Sequence, residues 1–214
     1  MDDFIIFVNA KAYEKATGTN AVQLARACEK YGAWLAVQAV DVFRVHQAVP
    51  SLRVFSQHID PVSYGSNTGA VLPEAVLSAG ASGTLLNHAE KQLSFNVLQK
   101  SVSYAKNAGL LVVVCADTLK QAKKIDSLGA DYIALELPEL IGGDVSIVSS
   151  DPSLIKEAVS SLQTPVLVGA GVQSGEDVRV AKQLGASGVL LASAVASKTD
   201  DPESVLASLV QGLT

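Results

Sequence analysis

One phrase recurs along this chain and restricts its fold more than any other feature. Ser78-Ala79-Gly80-Ala81 precedes the apolar run from Gly83 to Asn87, Ser127-Leu128-Gly129-Ala130 precedes Tyr132 to Leu135, and Gln183-Leu184-Gly185-Ala186 precedes Gly188 to Leu191. Each phrase reads as the last turn of a helix, a glycine cap in the left-handed region, and a short strand. Five further runs have the same strand character: Phe4 to Val8, Trp34 to Val37, Val54 to Ser56, Leu110 to Val114 and Pro165 to Val168. Helical spacing fills gaps between them, over Asn20 to Tyr31, Val42 to Ala48, Phe95 to Ala108 and Asp151 to Leu162. Pro73 stands where a helix can begin.

Short strands separated by helices pair in parallel through right-handed crossovers. Eight such units in 214 residues fit an α/β single domain, a closed (β/α)8 barrel over residues 1–214, better than an open doubly wound sheet, which is the alternative. A hydrophobic content of 49% suffices to fill one such core.

A closed parallel barrel brings the C-terminal ends of all strands to one face, so polar residues remote in sequence become neighbours. Here they are Asn9 and Lys11 after the first strand, Gln57 after the third, Asn87 and His88 after the fourth, Glu136 after the sixth, Gly171 after the seventh and Ser193 after the eighth. Singly, each has an ordinary structural reading: a solvated lysine, a hydrogen-bonded core histidine, a turn glycine. Glu136 constrains the grouping. A carboxylate ending a buried strand is half desolvated, and its proton affinity rises toward that of a working base. Together, a carboxylate, an imidazole and an ammonium make a proton-transfer site with a cation to hold developing negative charge. Gly169-Ala170-Gly171, with Gly188, Ala192 and Ser193, supplies backbone N–H groups where barrels of this kind bind phosphate.

The formal net charge of -5, without a basic stripe, argues against nucleic acid as a partner. No apolar run reaches the roughly 18 residues that a membrane span needs, and no charged-then-apolar leader opens the chain, so a soluble, cytoplasmic protein is expected. Cys28 and Cys115 are too few and too far apart for a metal or redox motif and read as buried thiols.

These residues resemble the triosephosphate isomerase family, in its shorter archaeal form, over essentially the whole chain. The resemblance is carried in order by Asn9-x-Lys11, by Gln57-His58-Ile59-Asp60-Pro61, and by Gly65-Ser66-Asn67-Thr68-Gly69 with Pro73-Glu74. It continues through Gly83-Thr84-Leu85-Leu86-Asn87-His88-x-Glu90 and Glu136-x-Pro138-Glu139-Leu140-Ile141-Gly142. Gly169-Ala170-Gly171 with Gly175-Glu176-Asp177, and Gly188 to Ser193, complete it.

The resemblance implies a TIM barrel that interconverts dihydroxyacetone phosphate and glyceraldehyde 3-phosphate through an enediolate. It makes Glu136 the base, His88 a neutral imidazole that polarises the carbonyl, Lys11 the cation beside the enediolate, and Asn9 a group that orients substrate oxygen; this division of labour is a known case of pKa tuning. It implies phosphate contacts from Ile141, Gly171, Ala192 and Ser193, and supporting roles for Glu90, as partner of Lys11 or its neighbours, and for Gln57. A closing lid would run from Leu137 to about Ser146. Thr68 would reach into a partner subunit, giving at least a homodimer and allowing a homotetramer. No metal or organic cofactor is implied. The sequence departs from the family pattern at Ala89, where serine is usual, at Leu137, where proline is usual, at the Gly143-Asp144 lid tip, and at Gln173, near a usual serine. A pentose-phosphate epimerase would call for paired aspartates and metal-binding histidines at strand ends. A non-catalytic metabolite sensor would have no use for a base facing an imidazole.

Overall fold

The computed structural model describes residues 4–141, 143 and 145–214. Eight strands, β1 (Ile5–Asn9), β2 (Trp34–Val37), β3 (Val54–Ser56), β4 (Gly83–Leu86), β5 (Leu111–Ala116), β6 (Tyr132–Glu136), β7 (Val166–Gly169) and β8 (Gly188–Leu191), close into a barrel in sequence order. Every pairing is parallel, and β1 meets β8 with Ile5 opposite Gly188. The expected closed (β/α)8 barrel is therefore the observed architecture, and the open sheet is not.

The helices that cross between strands are α1 (Thr19–Lys30), α2 (Ala39–Ala48), α3 (Pro73–Ser78), α4 (Phe95–Ala108) and α5 (Leu119–Ile125) in the first half. In the second half they are α6 (Ile147–Ser150), α7 (Pro152–Ser161) and α8 (Gly175–Gln183), and α9 (Ser193–Ala196) and α10 (Pro202–Gln211) follow β8. The recurring phrase does what its chemistry requires, since Gly80, Gly129 and Gly185 have φ of 97°, 82° and 92°. Several edges move by one to three residues from expectation, and α2 begins at Ala39 rather than Val42. Among the strands the largest shift is in β5, which runs to Ala116 rather than stopping at Val114.

Two apolar layers result. Residues alternating outward from the strands pack under the helices, while Phe7, Trp34, Phe55, Leu85, Cys115 and Leu167 are among those that fill the barrel. The filling is aromatic on one side: Trp34 and Phe55 stack with centroids 5.1 Å apart, and Phe7 lies 4.8 Å from Phe55. Such close-packed rings leave the barrel no lumen, so its chemistry is confined to the rim.

Candidate active site

Three non-glycine residues among those described have positive φ: Lys11 at 47°, Asn87 at 61° and Ala170 at 73°. Each lies just past the C-terminal end of a strand, on the same rim. Such backbone costs on the order of 1–3 kcal/mol per residue and persists where surrounding bonds over-determine it. At Lys11 those bonds are explicit. Asn9 Oδ1 accepts the Lys11 N–H at 3.0 Å, and Gln57 Nε2 donates to Asn9 Oδ1 at 3.2 Å and to the Lys11 carbonyl at 3.0 Å. Gln57 thus locks the turn that aims Lys11 and occupies the oxygen of Asn9, a residue that lines the cavity. At Asn87 the side chain ties β5 to the rim by donating to the Cys115 carbonyl at 2.9 Å and accepting from the Leu93 N–H at 2.9 Å.

Lys11 Nζ meets Glu90 Oε1 at 2.6 Å, with the lysine side chain 10% exposed and the glutamate 58%. The cation is sheltered and its counterion faces water. His88 opens the short turn Ala89–Lys91, and its Nδ1 accepts the Glu90 N–H at 3.1 Å. A nitrogen that accepts carries no proton, so the ring proton sits on Nε2, which lies 3.6 Å from Glu136 Oε2. Burial, helped by the charge of Lys11, holds His88 below its ordinary range against the pull of Glu90. Burial is the largest cause, and a three-residue turn has little dipole to add to it.

Glu136 is the last residue of β6 and is 6% exposed. Burial pushes its carboxyl up from 4.5 to about 7; a hydrogen bond with the Cys115 thiol and the charge of Lys11 pull it down, and Glu90 and Asp117 push it up. Its Oε2 is buried and has no hydrogen-bond partner. The carboxylate lies against Gly169 so closely that a Cβ there would come within 2.4 Å of Glu136 Cγ. Only glycine at the end of β7 leaves the base its place.

Across the cavity, Gly171 has a φ of 72°, and a Cβ on it would fall 2.0 Å from the Val145 carbonyl oxygen. The segment after β6 therefore packs directly on the turn after β7. Gln173 Nε2 adds a bond to the Gly143 carbonyl at 3.1 Å, and the Ile147 N–H one to the Ala170 carbonyl at 3.2 Å. Leu137 is extended before Pro138, as a residue before proline should be. Gly142 and Asp144, named in the sequence motif and the lid tip, lie outside the described residues.

Asn9, Lys11, His88, Glu136, Ile141, Gly171, Ala192 and Ser193 all line one cavity of about 30 Å³. Glu90 and Gln57 border an adjoining open cleft of about 310 Å³, which shares Asn9, Lys11 and His88. Thr68 lines neither and stands in an exposed stretch from Ser63 to Gly69. Among the described residues no group of three His, Cys, Asp or Glu side chains is arranged to hold a metal. The sequence reading missed three neighbours of the site. Tyr13 lines the cavity but carries no sequence signal, Cys115 lies beneath Glu136, and Asp117 follows β5. Asp117 was findable, because the strand-end rule selects it once β5 is extended to Ala116.

This fold and rim define a (β/α)8 barrel with a proton-transfer site at the C-terminal ends of its strands. Comparison with known proteins narrows the class. The profile described as "Triosephosphate isomerase" matches residues 4–212. A triosephosphate isomerase from Methanoculleus marisnigri is 41% identical, the match covering 98% of this chain and 99% of that one. One from Methanobrevibacter smithii is 35% identical with both chains fully covered. Among solved structures, a triosephosphate isomerase from Bartonella henselae superposes with a TM-score of 0.69 at 16% identity, covering 98% of this chain and 97% of that one. An N-acetylmannosamine-6-phosphate 2-epimerase from Clostridium perfringens reaches the same score at 18% identity, covering 90% and 88%. Those two likenesses establish fold alone. The chain belongs to the triosephosphate isomerase family, and its activity is that of an intramolecular isomerase of triose phosphates.

Proposed function

We propose that Glu136 is the base that moves a proton between the two adjacent carbons of the triose phosphate that carry the hydroxyl and carbonyl groups. The observation that carries this reading is a buried carboxylate, raised to about 7, facing a neutral imidazole at 3.6 Å. A base of that strength can take a carbon-bound proton near neutral pH and return it. His88 presents Nε2–H to the substrate's carbonyl oxygen, and Lys11, sheltered beside it, offsets the negative charge of the enediolate. Asn9 orients substrate oxygen. Backbone N–H groups of Ile141, Gly171, Ala192 and Ser193 take the phosphate, which suits a chain whose net charge is -5. Gln57 and Glu90 hold Lys11 in place. None of these roles calls on a metal or an organic cofactor.

The reaction is a shared step of glycolysis and gluconeogenesis, and a cytoplasmic setting accords with it; no helix among the described residues is long and apolar enough to cross a membrane. We further propose that the whole chain is one catalytic domain and works as a homodimer. The open cleft beside Lys11 and His88 supports this, together with an exposed loop carrying Thr68 that has no role in its own site. The test of the base is isomerisation of dihydroxyacetone phosphate in D2O, followed by proton NMR. Parent protein is expected to yield deuterated glyceraldehyde 3-phosphate, and Glu136→Gln to lose about 10²–10⁴-fold in rate. Unimpaired exchange in Glu136→Gln would remove Glu136 from the role.

A further inference from the structure

The register of β5 against β6 sets Cys115 opposite Ala134 and Ala116 opposite Leu135. One step further along both strands stand Asp117 and Glu136. Matched residues on parallel neighbours share a face, and the strands lie about 4.8 Å apart. Cys115 and Ala134 belong to the barrel interior, so Asp117 and Glu136, two residues on, return to that inner side at the mouth. Asp117 is firmly placed. Its N–H donates to Gln121 Oε1 at 2.7 Å, and its Oδ2 accepts from Gln92 Nε2. Its Oδ1 is buried without a hydrogen-bond partner, and so is Oε2 of Glu136.

Five groups bear on Glu136: Lys11 after β1, neutral His88 and Glu90 after β4, Cys115 within β5, and Asp117 at its end. Cys115 stays a thiol, kept protonated by burial. Glu90 repels a charge on Glu136 more strongly than Asp117 does, but Lys11, bonded to Glu90 at 2.6 Å, acts more strongly still in the opposite sense. That pair therefore sums to favour ionisation. Asp117, whose side-chain partner Gln92 is uncharged, is the negative charge left unanswered.

We propose that Asp117 is a positioning residue for the isomerase base, a second carboxylate on the adjacent strand whose charge makes Glu136 hold its proton more tightly and so strengthens it for abstraction. The inference rests on the reading of Glu136 as base. Burial holds Asp117 above the ordinary carboxylate range, so its charge acts in full only once pH has risen past that raised value.

The experiment compares Asp117→Asn, which keeps the shape and the Gln92 contact without the charge, with Asp117→Glu, which keeps the charge. Glutamate labelled with 13C at its carboxyl reports the titration directly, the Glu136 signal being the one absent from Glu136→Gln. In Asp117→Asn the Glu136 midpoint is expected to move down by about half a unit, so that about threefold more base is ionised on the acid limb of kcat/KM, while the plateau falls. Asp117→Glu should leave the midpoint where it is. Substrate phosphate ionises near pH ~6 in every variant and cancels from the comparison. If Asp117→Asn does not fold, Asp117→Ser carries the same expectation. An unmoved midpoint alongside an inactive Glu136→Gln overturns the role of Asp117 alone, as does an equal shift in the amide and glutamate variants. A fully active Glu136→Gln instead overturns the base.

Discussion

At the scale of single residues, the site is costly where it works. Glu136 is buried with an unpartnered oxygen and raised to about 7 from an ordinary 4.5. Because the folded protein binds that proton more tightly than the unfolded chain, no ionisation penalty exists below the ordinary value. The penalty grows as pH rises through the window from about 4.5 to about 7 and is complete above it. Glu136→Gln stays neutral throughout. It is therefore expected to be more stable than the parent at pH 8, by up to about 3 kcal/mol, with the difference shrinking toward zero on acidification. Urea unfolding at several pH values checks this, and a difference independent of pH would mean that Glu136 is not raised. Loss of the reaction with gain of stability is the expected signature of a base held against its own solvation.

Among the elements, the turn after β7 and the segment after β6 are mutually dependent. Gly171 admits the Val145 carbonyl where no Cβ could stand, and Gln173 clasps Gly143. In Gly171→Ala the segment after β6 is expected to be held off the site, lowering kcat by about 10²-fold while the barrel itself still folds. Leakage of the enediolate to methylglyoxal and free phosphate should rise with it, the first measurable by proton NMR and the second by phosphorus NMR. A variant with parental kcat would mean that this packing is not part of closure. Elements of this kind differ in how far a sequence exposes them. The barrel was legible because glycine caps such as Gly129 and Gly185 punctuate helix and strand, and both take the left-handed geometry that only glycine adopts freely. Glu136 and His88 were legible because polar residues ending apolar strands stand out. The contacts of Gln173 and of Asp117 were not. A side-chain amide reaching a lid carbonyl depends on loop conformation, and Asp117 became a strand-end residue only because β5 runs two residues past the apolar stretch expected for it.

At the scale of the whole molecule, the surface around the rim is unfinished. Val40 and Phe43 of α2 are 83% and 59% exposed, and Tyr64, beside Thr68 in the loop after β3, is 75% exposed. Gln38, which caps α2, and Ala39, its first residue, border the open cleft of about 310 Å³ that reaches Lys11 and His88. A second copy that inserted its Thr68 loop there would cover these apolar side chains and wall the site from water, two gains that one contact delivers together. Thr68→Arg places a cation where the loop would enter beside Lys11 of the other copy. It is expected to yield a folded monomer by sedimentation, with circular dichroism unchanged and kcat reduced about 10²-fold or more, since the turn bearing Lys11 loses the wall that packs against it. Parent protein should likewise lose specific activity on dilution as the dimer dissociates, and recover it on concentration. A Thr68→Arg monomer with parental kcat would show that each barrel completes its own site, and would leave the exposed loop to another purpose.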